Sequence, residues 1–295
     1  MDAIKEIDKA LSRYAHGKGA DFAQVFDQWM DWTIDWFSLS RVQEKACDYA
    51  AIMDEMKADN ETFFECFSLV ANDTAYHIEK QGWYDAYGSL YEEKVKSGYK
   101  ASSMGQFFTP AGLCDAIAMV GAEGERGRFI YDPACGSGRL PLAMWGAIDK
   151  NKFHYFVLGD LDPLSCKMSA LNMMLNGMFG IVERRNALSM EFFGGYVINE
   201  MCYPFPVACP SIRVADELEC RKNLAYARQI APKDDDGKQE CVKIEQQVAE
   251  PTVAEPTIAE PTIAEPADAP IEPISQPQAQ AGQPIQLSLF NLDEL

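Results

Sequence analysis

Apolar residues recur at helical spacing over residues 1 to about 100. In the stretch DFAQVFDQWMDWTIDWFSL (21–39), Phe22, Val25, Phe26, Trp29, Trp36 and Phe37 fall on one face of a helix. The ring-rich surface of Trp29, Trp32 and Trp36 has two readings, a platform for stacked bases and the packed side of an amphipathic helix, and helical periodicity favours the second. The rhythm changes after residue 104. In GQFFTPAGLCDAIAMV (105–120), Thr109 is placed to cap a helix, Pro110 suits its first position, and Leu113, Ile117 and Val120 mark one face.

Short apolar runs then alternate with helix-length segments. RFIYD (128–132) reads as a strand leading into a glycine turn, followed by a helix over about 139–149 and a second strand in YFVLGD (155–160). The next helix begins near Pro163 and carries Leu164, Met168, Leu171, Leu175 and Met178 as a stripe that faces a sheet. A third strand is expected in GIVERRNAL (180–188) and a fourth in GGYVIN (194–199). This alternation implies an α/β fold with a partial, Rossmann-like parallel sheet behind a helical N-terminal region. From Ala231 the pattern stops. The repeat AEPTV AEPTI AEPTI AEPAD (249–268) puts a proline at every fifth residue, which excludes helix and sheet and suits an extended tether. Four parts are therefore expected: a helical region (1–103), a partial cofactor-binding domain (104–230), a disordered acidic tether (231–285) and a short apolar terminus (286–295).

Charge is uneven between these parts. The tail from Ala231 holds 13 of the 45 acidic residues and 3 of the 26 basic ones, so residues 1–230 keep 32 acidic against 23 basic residues, about −9 of the net −19. An acidic body argues against a broad DNA-clasping surface unless basic residues cluster or a partner supplies the charge. The nine cysteines are odd in number, scattered and without a CxxC pair, which fits free thiols in a reducing compartment. The three histidines lie far apart, so no metal site is expected. The opening MDAIKEIDKALSRY is charged and amphipathic rather than a leader, and no run of about 18 apolar residues occurs, so a cytoplasmic protein is expected.

The candidate chemistry lies in IYDPACGSGRL (130–140). A glycine turn at the carboxyl end of the first strand directs backbone N–H groups and a helix N-terminus at an anionic or polar ligand group. No Gly-Lys-Ser/Thr follows, so it is not a P-loop, and Pro141 stands where a dinucleotide fingerprint needs its third glycine. A purely structural turn is the alternative.

Together with its neighbours, the turn resembles the adenine-N6 DNA methyltransferases of the kind found as modification subunits of type I restriction-modification systems. The resemblance rests on YDAYGSLYEEKV (84–95), MGQFFTP (104–110), DPACGSG (132–138) and LGDLDPLSCKMSALNMMLNG (158–177), with RNAL (185–188) after them, in the family's order and spacing. It implies S-adenosylmethionine as cofactor and DNA as substrate, with a complementing methyltransferase or specificity subunit as further partner. Asp132 and the backbone of Ala134, Cys135, Gly136, Ser137 and Gly138 would cradle the methionine end, closed by Thr109 and Pro110. Asp160 would accept from the ribose hydroxyls, Leu161 would lie against the adenine, and Asn186 would read its amino edge. The competing assignments are a helix cap for Thr109, a solvated loop acid for Asp160 and a turn residue for Asn186.

Methylating an exocyclic amine also requires a flipped base, acceptors that hold its amino group, and an aromatic ring stacked on it. In the family an Asn-Pro-Pro-Tyr/Phe tetrapeptide does this after the fourth strand. The sequence has none; in VINEMCYPFP (197–206), Asn199 is the catalytic candidate, with Glu200 and Met201 in place of the prolines. The chain ends in QLSLFNLDEL, where Gln286, Leu287, Leu289 and Phe290 resemble the pentapeptide that docks bacterial proteins on the replication sliding clamp. Three function classes follow: a DNA adenine methyltransferase completed by a partner, a degenerate cofactor-binding or scaffold protein tethered to the clamp, and a small-molecule methyltransferase.

Overall fold

The computed structural model describes residues 2–96, 108–122, 128–202, 209–231 and 241–243, apart from the side chains of 95, 96, 128, 202 and 241–243. Residues 104–107 of the MGQFFTP stretch, the proline-rich repeat and the terminal pentapeptide lie outside the described residues. Six helices come first: α1 (Ala3–Lys18), α2 (Phe22–Trp36), α3 (Leu39–Glu44), α4 (Tyr49–Asp59), α5 (Glu61–Gln81) and α6 (Ala86–Lys96). Their ends are written locally. Asp21 and Gln24 form a reciprocal capping box at α2, and Gly19 closes α1 with a left-handed φ of 64°. The predicted apolar face of α2 is core: Val25, Trp29 and Phe37 are fully buried, and the Trp29 indole N–H donates to the carbonyl of Phe63 (3.1 Å).

A six-stranded sheet follows, with strands in the order β5-β4-β3-β2-β1-β6. β1 (Arg128–Asp132), β2 (His154–Asp160), β3 (Gly180–Arg185) and β6 (Cys241–Lys243) run parallel, linked by α8 (Arg139–Ala147) and α9 (Pro163–Leu175). The parallel sheet expected from the alternation carries an antiparallel far edge. β4 (Phe192–Ile198) is antiparallel to β3, and β5 (Ile212–Ala215) is antiparallel to β4. Only residues 186–191 separate β3 from β4. A parallel connection needs a crossover of a dozen residues or more, whereas this span closes a hairpin, with Asn186 N–H donating to the carbonyl of Glu191 (2.9 Å). After β5 comes α10 (Glu217–Ile230), opened by an Asp216–Glu219 capping box. Neither β5 nor α10 shows in the strand-and-helix pattern read above. Within the segment expected as tether, Cys241–Lys243 pair with Phe129–Tyr131 of β1.

Successive residues of β2 serve opposite faces of the sheet. Tyr155 joins Phe129, Ile181, Val197, Cys220 and Ala227 in the core beneath α10, its hydroxyl hydrogen-bonded to Asn223 (2.6 Å). On the other face Phe156 meets Trp145 of α8 edge-on. Gly180 makes the close β2–β3 approach possible, since a Cβ there would lie 2.0 Å from the carbonyl oxygen of Phe156.

Residues Met1–Ile244 form one compact unit. α9 is the reason: it contacts β2, β3 and β4 on one side and α2, α5 and α6 on the other. Its predicted stripe faces inward, but Ser165, Ser169, Asn172 and Met173 are buried as well, so the helix is covered all round. α7 (Ala111–Gly121) shows the opposite deviation. Leu113, Ile117 and Val120, which mark one face of the helix, are exposed, and the helix packs on α8 through the small residues Cys114 and Ala118. Among the described residues no helix is long and apolar enough to cross a membrane.

Candidate functional site

The parallel strands deliver their carboxyl ends to one rim of the sheet, where backbone N–H groups and helix starts face solvent. Asp132 ends β1 and Asp160 ends β2. The turn between β1 and α8 passes through two left-handed glycines, Gly136 (φ 56°) and Gly138 (φ 86°). Asp160 shapes this turn directly. Its Oδ2 accepts from the Gly136 N–H (2.9 Å) and its Oδ1 from the Asp162 N–H (2.9 Å), while Asp132 Oδ1 accepts from the Ala134 N–H (3.1 Å). A carboxylate has about four lone-pair positions, so Asp160 keeps acceptor capacity toward the open side.

Burial disfavours the ionised form of both carboxylates. Burial raises the Asp132 carboxyl to about 6, the Ala134 N–H partly offsets this, and the charge of Asp160 raises it further. Burial also pushes Asp160 upward, against the N–H bonds it accepts. Because the folded Asp132 binds a proton that the unfolded chain releases, its stabilising contribution is complete at low pH and is lost as pH rises through about 6. A bound cation favours the ionised form and reverses that preference. Affinity for a cationic ligand beside Asp132 is therefore expected to rise about tenfold between pH 5 and pH 7, with proton release below pH 6. Calorimetry in two buffers of different ionisation enthalpy measures both, and a pH-independent affinity would remove Asp132 from the site.

The residues proposed for the site divide into those facing the rim and those facing inward. Ala134, Gly136, Asp160 and Leu161 line the rim, with Leu161 46% exposed beside Asp160. Thr109 and Pro110 stand next to the turn: the neighbouring Phe108 ring lies 3.2 Å from where a Cβ on Gly136 would be, and the Thr109 carbonyl accepts from Arg139 (3.3 Å). Thr109 does not cap α7, whose N-cap is Pro110, one residue later than the sequence suggests. Cys135 and Ser137 face inward. Burial holds the Cys135 thiol well above its ordinary range, which leaves it inert as a nucleophile. Asn186 acts as a turn residue, its side-chain oxygen accepting from the N–H groups of Leu188 (2.9 Å) and Ser189 (3.1 Å).

Asn199 does not belong to the rim. β4 runs antiparallel, so its carboxyl end lies beside Gly180, at the amino end of β3 and across the sheet from the glycine turn. Its amide group donates to the carbonyls of Met174 (3.3 Å) and Met178 (2.8 Å), and its oxygen accepts from the Ser211 N–H (3.0 Å). At 1% exposure and φ 54° it pins a buried loop junction, and no group of it is free for a base. The expected catalytic assignment is corrected accordingly.

Sequence reasoning missed the residues behind the turn. Asp85, 2% exposed, accepts from Ser137 Oγ (2.7 Å), Arg139 Nε (2.7 Å), Asn172 Nδ2 (2.7 Å) and the Gly88 N–H (2.8 Å). Arg139 continues to both carboxylate oxygens of Glu92 (3.0 and 3.2 Å), and these two acids raise its pKa against the opposing effect of burial. The signal was present in YDAYGSLYE, but only the fold brings Asp85 to a turn 52 residues away.

No curated protein matches the chain. Among solved structures, one described as a class I S-adenosylmethionine-dependent methyltransferase from Listeria monocytogenes aligns at 13% identity, with a TM-score of 0.41 over 79% of this chain and 71% of that one. The type I restriction-modification methyltransferase subunit of Streptococcus thermophilus aligns at 18% identity with a TM-score of 0.29, over 60% of this chain and 52% of that one. The family model described as N-6 DNA Methylase matches residues 83–190, which run from the Asp85 network through the glycine turn to the end of β3 and its hairpin. S-adenosylmethionine is the cofactor this family implies, and the rim suits it: a glycine turn that a Cβ on Gly136 would crowd, and a buried and a half-buried carboxylate whose ionised forms a cationic ligand stabilises. Over its central segment, residues 83–190, the chain is similar to the N-6 DNA methylase family.

Proposed function

We propose that this chain is the cofactor-binding part of an S-adenosylmethionine-dependent DNA adenine-N6 methyltransferase. The observation that carries the reading is the joined cradle of Asp132, Gly136 and Asp160 at the strand ends, inside the segment that matches the family. When bound, the cofactor supplies a sulfonium methyl group to an exocyclic amine, which gives up a proton. Asp160 would orient the ribose through its remaining acceptor positions, Leu161 would cover the adenine, and the N–H groups and charge of the Asp132–Gly138 turn would hold the methionine end. Base handling falls to groups outside this rim, because Asn199 is buried across the sheet and the sequence holds no Asn-Pro-Pro-Tyr/Phe. A complementing methyltransferase or specificity subunit that supplies them, together with positive charge for the acidic body, completes the proposal.

That same deficit favours a second reading, a degenerate cofactor-binding protein brought to the replication clamp by Gln286–Phe290. One experiment separates the two. The purified chain is titrated with S-adenosylmethionine in a calorimeter, then given unmethylated DNA and labelled donor, alone and with a type I specificity subunit. Transfer in either mixture supports the methyltransferase. Binding without transfer, with retention on immobilised sliding clamp, supports the scaffold, and absence of cofactor binding overturns both.

A further inference from the structure

The YDAYGSLYE stretch (84–92) has no part in the cradle, yet it lies at the centre of the most heavily bonded buried group near the turn. Asp85 precedes α6 and caps it through the Gly88 N–H, using one of about four lone-pair positions. The other three go to groups that belong to or hold the glycine turn: the Ser137 hydroxyl, the Arg139 guanidinium, and the Asn172 amide, which also donates to the Ser137 carbonyl (2.9 Å). Arg139 then reaches the Thr109 carbonyl (3.3 Å), on the opposite wall of the cradle. Contact is so close that a Cβ on Gly88 would lie 2.2 Å from an Asp85 oxygen and 2.5 Å from the Ser137 hydroxyl.

We infer that Asp85 is the positioning residue of the cofactor cradle: without touching the ligand, it fixes the glycine turn and the Thr109 wall relative to each other. The geometry explains why this takes a carboxylate. Four donors converge on two oxygens, one of them a guanidinium buried beside α6, and only an ionised group accepts from all four and balances that charge. The inference builds on the proposed cofactor site, but the arrangement it describes exists before any ligand binds.

The test is Asp85→Asn in the full chain, labelled with 15N-glycine. The amide now presents N–H groups to one pair of donors. The Gly136 and Gly138 signals are expected to shift and to exchange with solvent faster in the free protein, while those of Gly17 and Gly19 at the end of α1 stay in place. At a temperature where circular dichroism shows the variant folded, its dissociation constant for S-adenosylmethionine is expected to rise at least about tenfold. A purely structural Asp85 would lower the melting temperature and leave that constant unchanged. Unmoved Gly136 and Gly138 signals with wild-type affinity overturn the inference. Should Asp85→Asn not fold, Ser137→Ala removes one bond of the same set and must move the same two glycines. If wild-type protein does not bind S-adenosylmethionine, the functional reading fails, but the glycine signals still decide the role of Asp85.

Discussion

Replacing Gly136 by Asp is expected to lower the affinity for S-adenosylmethionine by at least about a hundredfold while the protein stays folded. Three effects act together. The left-handed φ of 56° suits glycine, with Asp among the less penalised replacements. A Cβ would stand 3.2 Å from the Phe108 ring, so the Thr109–Pro110 wall would have to move outward. Most importantly, the added carboxylate would fill the cradle in front of the turn and repel the carboxylate of the methionine end that the turn's N–H groups are proposed to hold. The strain is expected to cost about 1–2 kcal/mol of stability, because the turn is at the surface and can give. Gly136→Ala isolates the steric part and should weaken binding by only about tenfold. Calorimetric titration of the three proteins reads both effects; wild-type affinity in Gly136→Asp would move the cofactor away from this turn.

Asn199→Ala is expected to have the reverse profile: a loss of about 3–5 kcal/mol in stability with unchanged cofactor affinity. The substitution leaves the carbonyls of Met174 and Met178 and the N–H of Ser211 without their buried partner, and puts Ala in a left-handed conformation that Asn tolerates better. The site lies at the amino end of β3, so the defect should not reach the carboxyl-end rim. Denaturant melts give the stability change, and the same titration gives the affinity. A stable variant that loses methyl transfer would return Asn199 to a catalytic role.

The contrast between Gly136 and Asn199 shows what kind of information the sequence carried. The glycine turn was legible because its chemistry is local: Asp132, Gly136 and Gly138 lie within seven residues, and a left-handed turn after a strand needs glycine at fixed offsets. Asp160 was legible for the same reason, as the last residue of the next strand. Asn199 looked catalytic because it also ends a strand. Strand direction decides which rim that end reaches, and direction follows from whether six residues close a hairpin or lead into a crossover helix.

Local periodicity by itself determined the helical character of the first hundred residues, the strands β1 to β4 and the core face of α2, since each depends on residues close to one another in sequence. Burial on all sides of α9, the outward face of α7, the antiparallel edge of the sheet and the Asp85 network were decided only in the tertiary structure. Each depends on which distant surface arrives opposite: α9 reads as one-sided until α2, α5 and α6 cover its back, and nothing near Asp85 in the sequence announces that Ser137 and Arg139 come to bond with it. A one-dimensional pattern records how a segment can bury its own apolar face, whereas long-range contacts decide which polar groups find one another inside.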